Sequence, residues 1–237
     1  MLKKTALLLM ILLTVSSLWA QNVPAGLEYK IEDGKYVTVT RYSGNSASVI
    51  IPDQIQGLPV TSIGDNAFSS CNVSSVTLPL SVNYIGDSAF QFCTNLTAIN
   101  IPSSITYIGR NAFYRCSGLT NITILSSLTF IAEYAFYGCS SLVSIGLPLT
   151  IREIGDYAFY DCSGLTGIIF PSSVSSIGRS AFYGCSGLKG IIIPSSVLSV
   201  DDFAFSDCIG LSSVILSRQT SVGVLAFPDT AQVYYRD

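Results

Sequence analysis

The chain has 237 residues, of which 49% are hydrophobic and only 11% are charged, against about 25% charged residues in an average globular protein. Its twelve Lys and Arg residues are scattered, which argues against nucleic acid as a partner, because that function needs clustered positive charge. Histidine is absent, so the commonest general base and the commonest zinc ligand are both missing.

The N-terminal 20 residues have the pattern of a signal peptide. Lys3 and Lys4 supply a positive start, and the apolar run from Ala6 to Val15 that follows is too short for a membrane span. Cleavage is expected after Ala20, and no later stretch of sequence is apolar enough to cross a membrane. We therefore expect an exported protein (secreted, periplasmic or on the cell surface) whose mature chain has no transmembrane segment.

A β-hairpin is predicted within residues 21–46. Two alternating stretches, 27–31 and 35–42, flank the turn-forming pair Asp33-Gly34. We expect this hairpin to cap the first unit of the repeat that follows, because an open edge there would be a template for aggregation.

Residues 47–229 consist of about eight copies of a 23-residue repeat. In the copy from Ile168 to Gly190, Ile168 and Phe170 alternate with Ile169 as in a strand, and Pro171 ends that strand. The Ala-Phe pair that follows is expected to form a short helical turn. The repeat phenylalanines are Phe68, Phe90, Phe113, Phe136, Phe159, Phe182, Phe205 and Phe227. One such coil cannot bury its own apolar face, so a stacked solenoid is predicted, closed by a strand within residues 230–237.

The repeat resembles the BspA-like, or treponemal, class of leucine-rich repeat. The motif is clear in Leu96-x-x-Ile99-x-Ile101-Pro102 and again in the copy that starts at Leu188. The resemblance implies an α/β solenoid with parallel strands on its concave face and short helical or 3-10 turns opposite. It also implies exported, often bacterial, surface proteins that bind host proteins or other cells. A right-handed parallel β-helix is the alternative fold, and we disfavour it because each coil shows one clear strand.

Seven cysteines each lie three residues after a repeat phenylalanine. Equivalent atoms of stacked coils lie about 4.8 Å apart and point the same way, whereas a disulfide needs converging Cβ atoms about 3.8 Å apart. We therefore predict a column of buried free thiols, with no disulfide. Without histidine or a CxxC motif we also predict no metal site and no cofactor.

Two more columns are predicted on the coil surface. The residue after the repeat phenylalanine is tyrosine in four successive coils, as Tyr114, Tyr137, Tyr160 and Tyr183. These rings either stiffen the stack or form a contact surface. The second column is charged and includes Asp87, Arg110 and Glu133, which we expect to pair between coils and fix their register.

The concave face is predicted to carry an outward row of Ile169, Ile192 and Ile215 beside Gly167 and Gly190. Exposed isoleucine is costly unless it is covered. The cover is either the C-terminal tail or a neighbouring subunit, or else a binding partner.

The predicted function is a non-enzymatic recognition module that binds an extracellular protein or glycan through a rigid solenoid face. The candidate contacts are the isoleucine row with its two glycines and the tyrosine column. The alternative is a structural spacer or a self-assembling surface protein, and we expect a monomer or weak self-association. No residue pattern supports an enzyme.

Overall fold

A computed structural model describes residues 23–125 and 127–236. The predicted signal peptide lies outside these residues. In chain order the strands are β1 (Leu27–Glu32), β2 (Tyr36–Tyr42), β3 (Ser48–Ile50), β4 (Gln54–Ile55), β5 (Leu58–Ile63), β6 (Ser75–Thr77), β7 (Tyr84–Ile85), β8 (Ala98–Ile99), β9 (Tyr107–Ile108), β10 (Asn121–Thr123), β11 (Phe130–Ile131), β12 (Ser144–Gly146), β13 (Glu153–Ile154), β14 (Ser176–Ile177), β15 (Gly190–Ile192), β16 (Ser199–Val200), β17 (Ser213–Ser217), β18 (Ser221–Val222) and β19 (Gln232–Arg236).

The predicted parallel strands are present and stack coil on coil. They form three short ladders in the order β3-β6-β8, β10-β12 and β15-β17-β19. Equivalent residues face each other, as Ile122 faces Ile145 and Ile191 faces Val214. Residues 166–171 belong to no strand, so the ladder is interrupted at the coil of Ile169.

Each regular coil also contains a second strand, which the sequence analysis missed. It consists of the repeat isoleucine or valine and the residue before it, and it pairs in parallel with its equivalent in the next coil. These strands form the ladders β2-β5-β7-β9 and β11-β13-β14-β16-β18. A coil with two strands has a feature of the β-helix that we disfavoured. The expectation that each coil contains a single strand was therefore wrong.

The helical or 3-10 turns expected opposite the concave face are not confirmed, since the described residues contain no helix. Around Phe68, alternate N–H groups bond in two directions. Asn66, Phe68 and Ser70 donate to carbonyl oxygens of the next coil at 2.7–2.9 Å, whereas the residues between them donate three residues back. Asn66 and Ser70 have φ of 58° and 60°, in the left-handed region, so a right-handed helix cannot propagate through them.

The core is a column of stacked aromatic rings. The repeat phenylalanines from Phe68 to Phe205 are fully buried, and successive ring centroids lie 4.9 to 5.3 Å apart. Tyr42, on the hairpin, extends the column at 5.2 Å from Phe68, and Phe227 ends it at 5.7 Å from Phe205. Offset ring pairs of this kind add about 0.5–1.5 kcal/mol each beyond the burial of area.

The thiols form a second buried column, and each is a hydrogen-bond donor. Each Sγ lies 2.9 to 3.2 Å from a carbonyl oxygen of the preceding coil, that of Tyr42 for Cys71 and that of a repeat phenylalanine for the others. Burial raises the pKa of Cys93 and of Cys208 from 9.0 to about 12, so both thiols stay protonated at neutral pH.

The charged column fixes register differently from the prediction. Arg110 and Glu133 do form an ion pair at 2.8 Å. The carboxylate of Asp87, in contrast, accepts the backbone N–H of Arg110 in the next coil at 2.9 Å, and Asp65, Asp156 and Asp202 do the same in their own coils at 2.7 to 2.9 Å. The aspartates therefore satisfy backbone donors instead of pairing with arginine side chains.

Candidate functional site

The isoleucine row occupies equivalent positions in three successive coils. Ile192 lies on β15 and Ile215 on β17, whereas Ile169 lies in the segment that belongs to no strand. Ile169 and Ile192 keep 87% and 56% of their surface exposed, whereas Ile215 is half-buried. Ile215 is in register with Ile192 on one side and with Tyr234 of β19 on the other. The C-terminal strand therefore lies beside the row and extends it with an exposed tyrosine, and it leaves the other two isoleucines open.

A groove of about 590 Å³ borders Ile169. Its floor includes Gly146, Gly167 and Gly190, where the absent side chains leave the backbone accessible. A Cβ built on Gly167 would meet no atom within 4 Å, so this position is open space on a backbone that other residues can adopt. The groove coincides with residues 166–171, where the strand ladder is interrupted.

Two further apolar residues line the groove and were missed from the sequence. Leu149 is 83% exposed and Val143 is 44% exposed. The signal was present in the repeat register, because Leu149 follows Pro148 where three other coils have serine after the proline, as at Ser172. We define the concave patch as Val143, Leu149, Gly167, Ile169 and Ile192.

The concave patch is apolar without any formal charge. None of the residues that line its groove is Asp, Glu, Lys or Arg. Such a surface offers no charged donor or acceptor that would orient a sugar or a phosphate. It is suited to bury apolar side chains of another protein, at about 25 cal/mol per Å² removed from water.

The predicted tyrosine column is a continuous stack on the turn side of the coils. Tyr114, Tyr137, Tyr160 and Tyr183 are half-buried, and their ring centroids are 4.7 to 4.8 Å apart. A second pair, Tyr134 and Tyr157, stacks at 4.8 Å and lies 5.9 to 6.0 Å from the first column. This pair was not predicted from the sequence because the position is Asn, Ser, Phe or Leu in the other coils.

The structure therefore separates the predicted contact residues into two sets. None of the column tyrosines lines the groove beside Ile169. Burial raises the pKa of Tyr137 and of Tyr160, so both phenols stay neutral and can donate a hydrogen bond at physiological pH. One set offers apolar contact, and the other offers aromatic faces with polar tips.

A cavity of about 1040 Å³ lies at the N-terminal end and is lined by residues 23–26, 42–46, 48–50 and 52–54. Within residues 23–125 and 127–236 no three His, Cys, Asp or Glu side chains are placed to hold a metal ion. The same described residues contain no helix that is both long and apolar enough to cross a membrane.

Stacked coils with parallel strand ladders and a phenylalanine core define a repeat solenoid. The family model for the BspA-type leucine-rich repeat region matches residues 42–166 and 129–234, with six copies. The chain therefore belongs to the BspA-type leucine-rich repeat family, as the sequence motif indicated. No curated protein matches the chain.

Solved structures of bacterial repeat proteins are similar to this one. The T. pallidum leucine-rich repeat protein is 31% identical, with 86% of each chain covered and a TM-score of 0.59. A leucine-rich cell surface protein from Faecalibacterium prausnitzii is 25% identical, with 91% of this chain and 76% of that chain covered and a TM-score of 0.59. A leucine-rich repeat protein from Eubacterium ventriosum, 24% identical over 68% of this chain and 50% of that one, shares the fold with a TM-score of 0.54.

Proposed function

We propose that this protein is an exported, non-enzymatic recognition module that binds an extracellular protein, on a host matrix or on another cell, through its concave patch. The observation that carries the proposal is the exposed Ile169–Ile192 pair beside an uncharged, glycine-floored groove of about 590 Å³. The surface location of the similar Faecalibacterium prausnitzii protein supports export of this chain.

The mechanism is docking of preformed surfaces. Ile192 lies on β15, which is paired with β17, and the phenylalanine column lies behind the patch, so little order has to be gained there when a partner binds. An apolar anchor of the partner would enter the groove above Gly167, while Ile169 and Ile192 would pack around it. Central apolar anchors of this type supply most of the free energy of protein association.

Filling the groove tests the proposal. Gly167→Trp places a ring where a Cβ has no neighbour within 4 Å, so the fold should be kept while the groove is blocked. Ala98→Trp is the matched control, at the equivalent exposed position three coils away. Binding to a panel of purified extracellular-matrix proteins is measured by surface plasmon resonance.

We expect at least one panel protein to bind, and Gly167→Trp and Ile169→Ser/Ile192→Ser each to weaken it at least about tenfold. Ala98→Trp should bind as the wild type does. Equal binding by wild type and Gly167→Trp would remove the concave patch from the proposal.

Self-assembly is the second candidate, and the C-terminal end of the solenoid favours it. Strand β18 is exposed at the edge of its ladder, and the adjoining Val224 and Leu225 are exposed apolar residues. An uncovered strand edge can pair with another chain. Light-scattering mass would then show an oligomer that Val224→Lys dissociates, whereas a monodisperse monomer would count against this role.

A further inference from the structure

A second cleft, of about 430 Å³, lies on the turn side of the solenoid, away from the concave patch. Its lining combines aromatic rings, a guanidinium, a carboxylate and hydroxyls. The residues that carry the argument are Phe92, Arg115, Tyr137, Gly138, Ser140 and Asp161. A volume of this size is within the range of small-ligand sites, about 300–1,000 Å³.

The cleft exists because glycine interrupts a column of larger side chains. Two residues after each repeat phenylalanine the backbone is left-handed, with φ of 55° at Arg115, 68° at Gly138 and 54° at Asp161. Arginine and aspartate adopt this conformation here, so the backbone alone does not demand glycine at 138. A Cβ at Gly138 would lie 3.0 Å from Cγ of Arg115, whose stem crosses the glycine. Glycine therefore makes a floor between a cationic wall and an anionic wall.

The two charged walls do not neutralise each other. The ion pairs formed by residues 23–125 and 127–236 are Lys30–Glu32 and Arg110–Glu133, so Arg115 and Asp161 do not form an ion pair with each other. Burial and the nearby Asp207 raise the pKa of Asp161, while Arg115 lowers it. Arg115 also lies beside Tyr114, with Cζ 5.7 Å from the ring centroid. Because Arg115 also forms a side-chain hydrogen bond with Tyr137, a ligand between the walls would meet the remaining guanidinium N–H donors on one side and carboxylate acceptors on the other.

We propose that this cleft binds a sugar unit of a glycan. The apolar C–H face of a pyranose ring would pack on the Phe92 ring, which is 38% exposed, and vicinal hydroxyls would donate to Asp161 and accept from Arg115. An aromatic face, a carboxylate and a guanidinium within one cleft satisfy both sides of a sugar, and charge-assisted hydrogen bonds to hydroxyls give orientation. The site is separate from the concave patch and does not depend on the proposed function.

The probes are methyl α-mannoside, methyl β-galactoside, N-acetylglucosamine and N-acetylneuraminic acid. Saturation-transfer NMR on the purified protein detects contact, and titration of chemical shifts gives the affinity. We expect transfer to the ring protons of at least one sugar, with a dissociation constant on the order of 1 mM. Asp161→Asn should weaken this binding about tenfold, because it removes a charged acceptor.

Two tryptophan variants control for the location. Ser140→Trp blocks the cleft from its exposed rim and should abolish saturation transfer, while Ile209→Trp, at the equivalent exposed position three coils on, should leave it unchanged. Gly167→Trp, which fills the concave groove, should also leave sugar binding unchanged. Absence of transfer to all four sugars would overturn the proposal, as would equal transfer with wild type and Ser140→Trp. Neither result would bear on the concave patch, which this assay does not probe.

Discussion

The glycine that follows the repeat isoleucine or valine packs against an aspartate of the preceding coil, so the residue types at these two positions are coupled. A Cβ added to Gly86, Gly109, Gly178 or Gly223 would fall 2.3 to 2.7 Å from a carboxylate oxygen of the preceding coil, which is closer than real atoms approach. That carboxylate is the one that accepts a backbone N–H across the coils. The repeat replaces this glycine with Ala132 and Asp201, and each follows a coil in which the aspartate is an arginine, Arg110 or Arg179.

Gly178→Ala is therefore expected to lower the free energy of unfolding by about 1–3 kcal/mol, through overpacking against Asp156. Ala132→Gly is the matched control and should cost at most about 1 kcal/mol, through chain entropy alone. Thermal and urea unfolding followed by circular dichroism measures both. The double change Asp156→Arg/Gly178→Ala recreates the Arg110–Ala132 pair, and it should be less destabilised than the sum of its single changes. Strict additivity would contradict the coupling.

The thiol column makes stability depend on alkaline pH. The pKa of Cys93 rises from 9.0 in the unfolded chain to about 12 in the folded protein because burial disfavours the thiolate. Its contribution is thus fully present below pH 9 and is lost as pH rises from 9 towards 12, since only the unfolded state then releases the proton.

We expect the free energy of unfolding to fall between pH 9.5 and 11, at about 1.4 kcal/mol per pH unit for each such thiol. Cys93→Ala removes one titrating group, so its stability should be lower at neutral pH but should fall less steeply above pH 9.5. Urea unfolding at several pH values measures the two slopes. Ser69→Ala, which removes no titrating group, should keep the wild-type slope, and parallel slopes for Cys93→Ala and wild type would show that this thiol does not titrate as described.

At the scale of elements, the sequence predicted the features that follow from alternation and spacing, but it did not predict the second strand of each regular coil. The strand Gly190–Ile192, the buried phenylalanines and the outward isoleucines follow from alternation and from the 23-residue spacing. The second strand is only two residues long, as at Tyr84–Ile85, so alternation cannot reveal it. Its pairing depends on the neighbouring coil, which is tertiary information.

The helical turn predicted at each Ala-Phe pair is not confirmed, for a different reason. Ser88, Arg115 and Tyr157 all have positive φ, although none is glycine. Such backbone costs about 1–2 kcal/mol per residue and is held by N–H groups that bond across the coils, as from Tyr157 to the carbonyl of Arg179 at 2.9 Å. A single coil read in isolation favours the helical turn, and only the stack favours the alternating one.

The candidate contacts divide in the same way. The exposure of Ile169 follows from strand parity, whereas the groove beside it depends on an interrupted ladder that no local pattern marks. Likewise, the tyrosine column was visible as a spacing of 23 residues, but the cleft at Gly138 is lined by residues of four different coils. A repeat in the sequence predicts which side chains form columns. The clefts between side chains of different size can be located only once the coils are assembled.

At the scale of the whole molecule, each coil contacts only its neighbours, so stability should be transmitted along the axis from coil to coil. The two ends differ in how they are closed. At the N-terminal end Tyr42 is buried on the hairpin, stacks on Phe68, and its carbonyl accepts the Cys71 thiol at 3.2 Å. At the C-terminal end the last ring, Phe227, is only half-buried. The hairpin cap should therefore stabilise more than the C-terminal closure does.

Tyr42→Ala tests this asymmetry. Removal of a buried aromatic ring costs about 3–5 kcal/mol, and in a one-dimensional stack the loss should appear first in the coils beside it. We expect hydrogen exchange, followed by mass spectrometry, to accelerate in the coils of Phe68 and Phe90 while amides near Phe182 keep wild-type protection. Phe227→Ala, the control at the other end, should cost less and should accelerate exchange only in the last coils. If Tyr42→Ala instead raised exchange uniformly along the chain, the solenoid would unfold as one cooperative unit, and the hairpin would stabilise all coils equally.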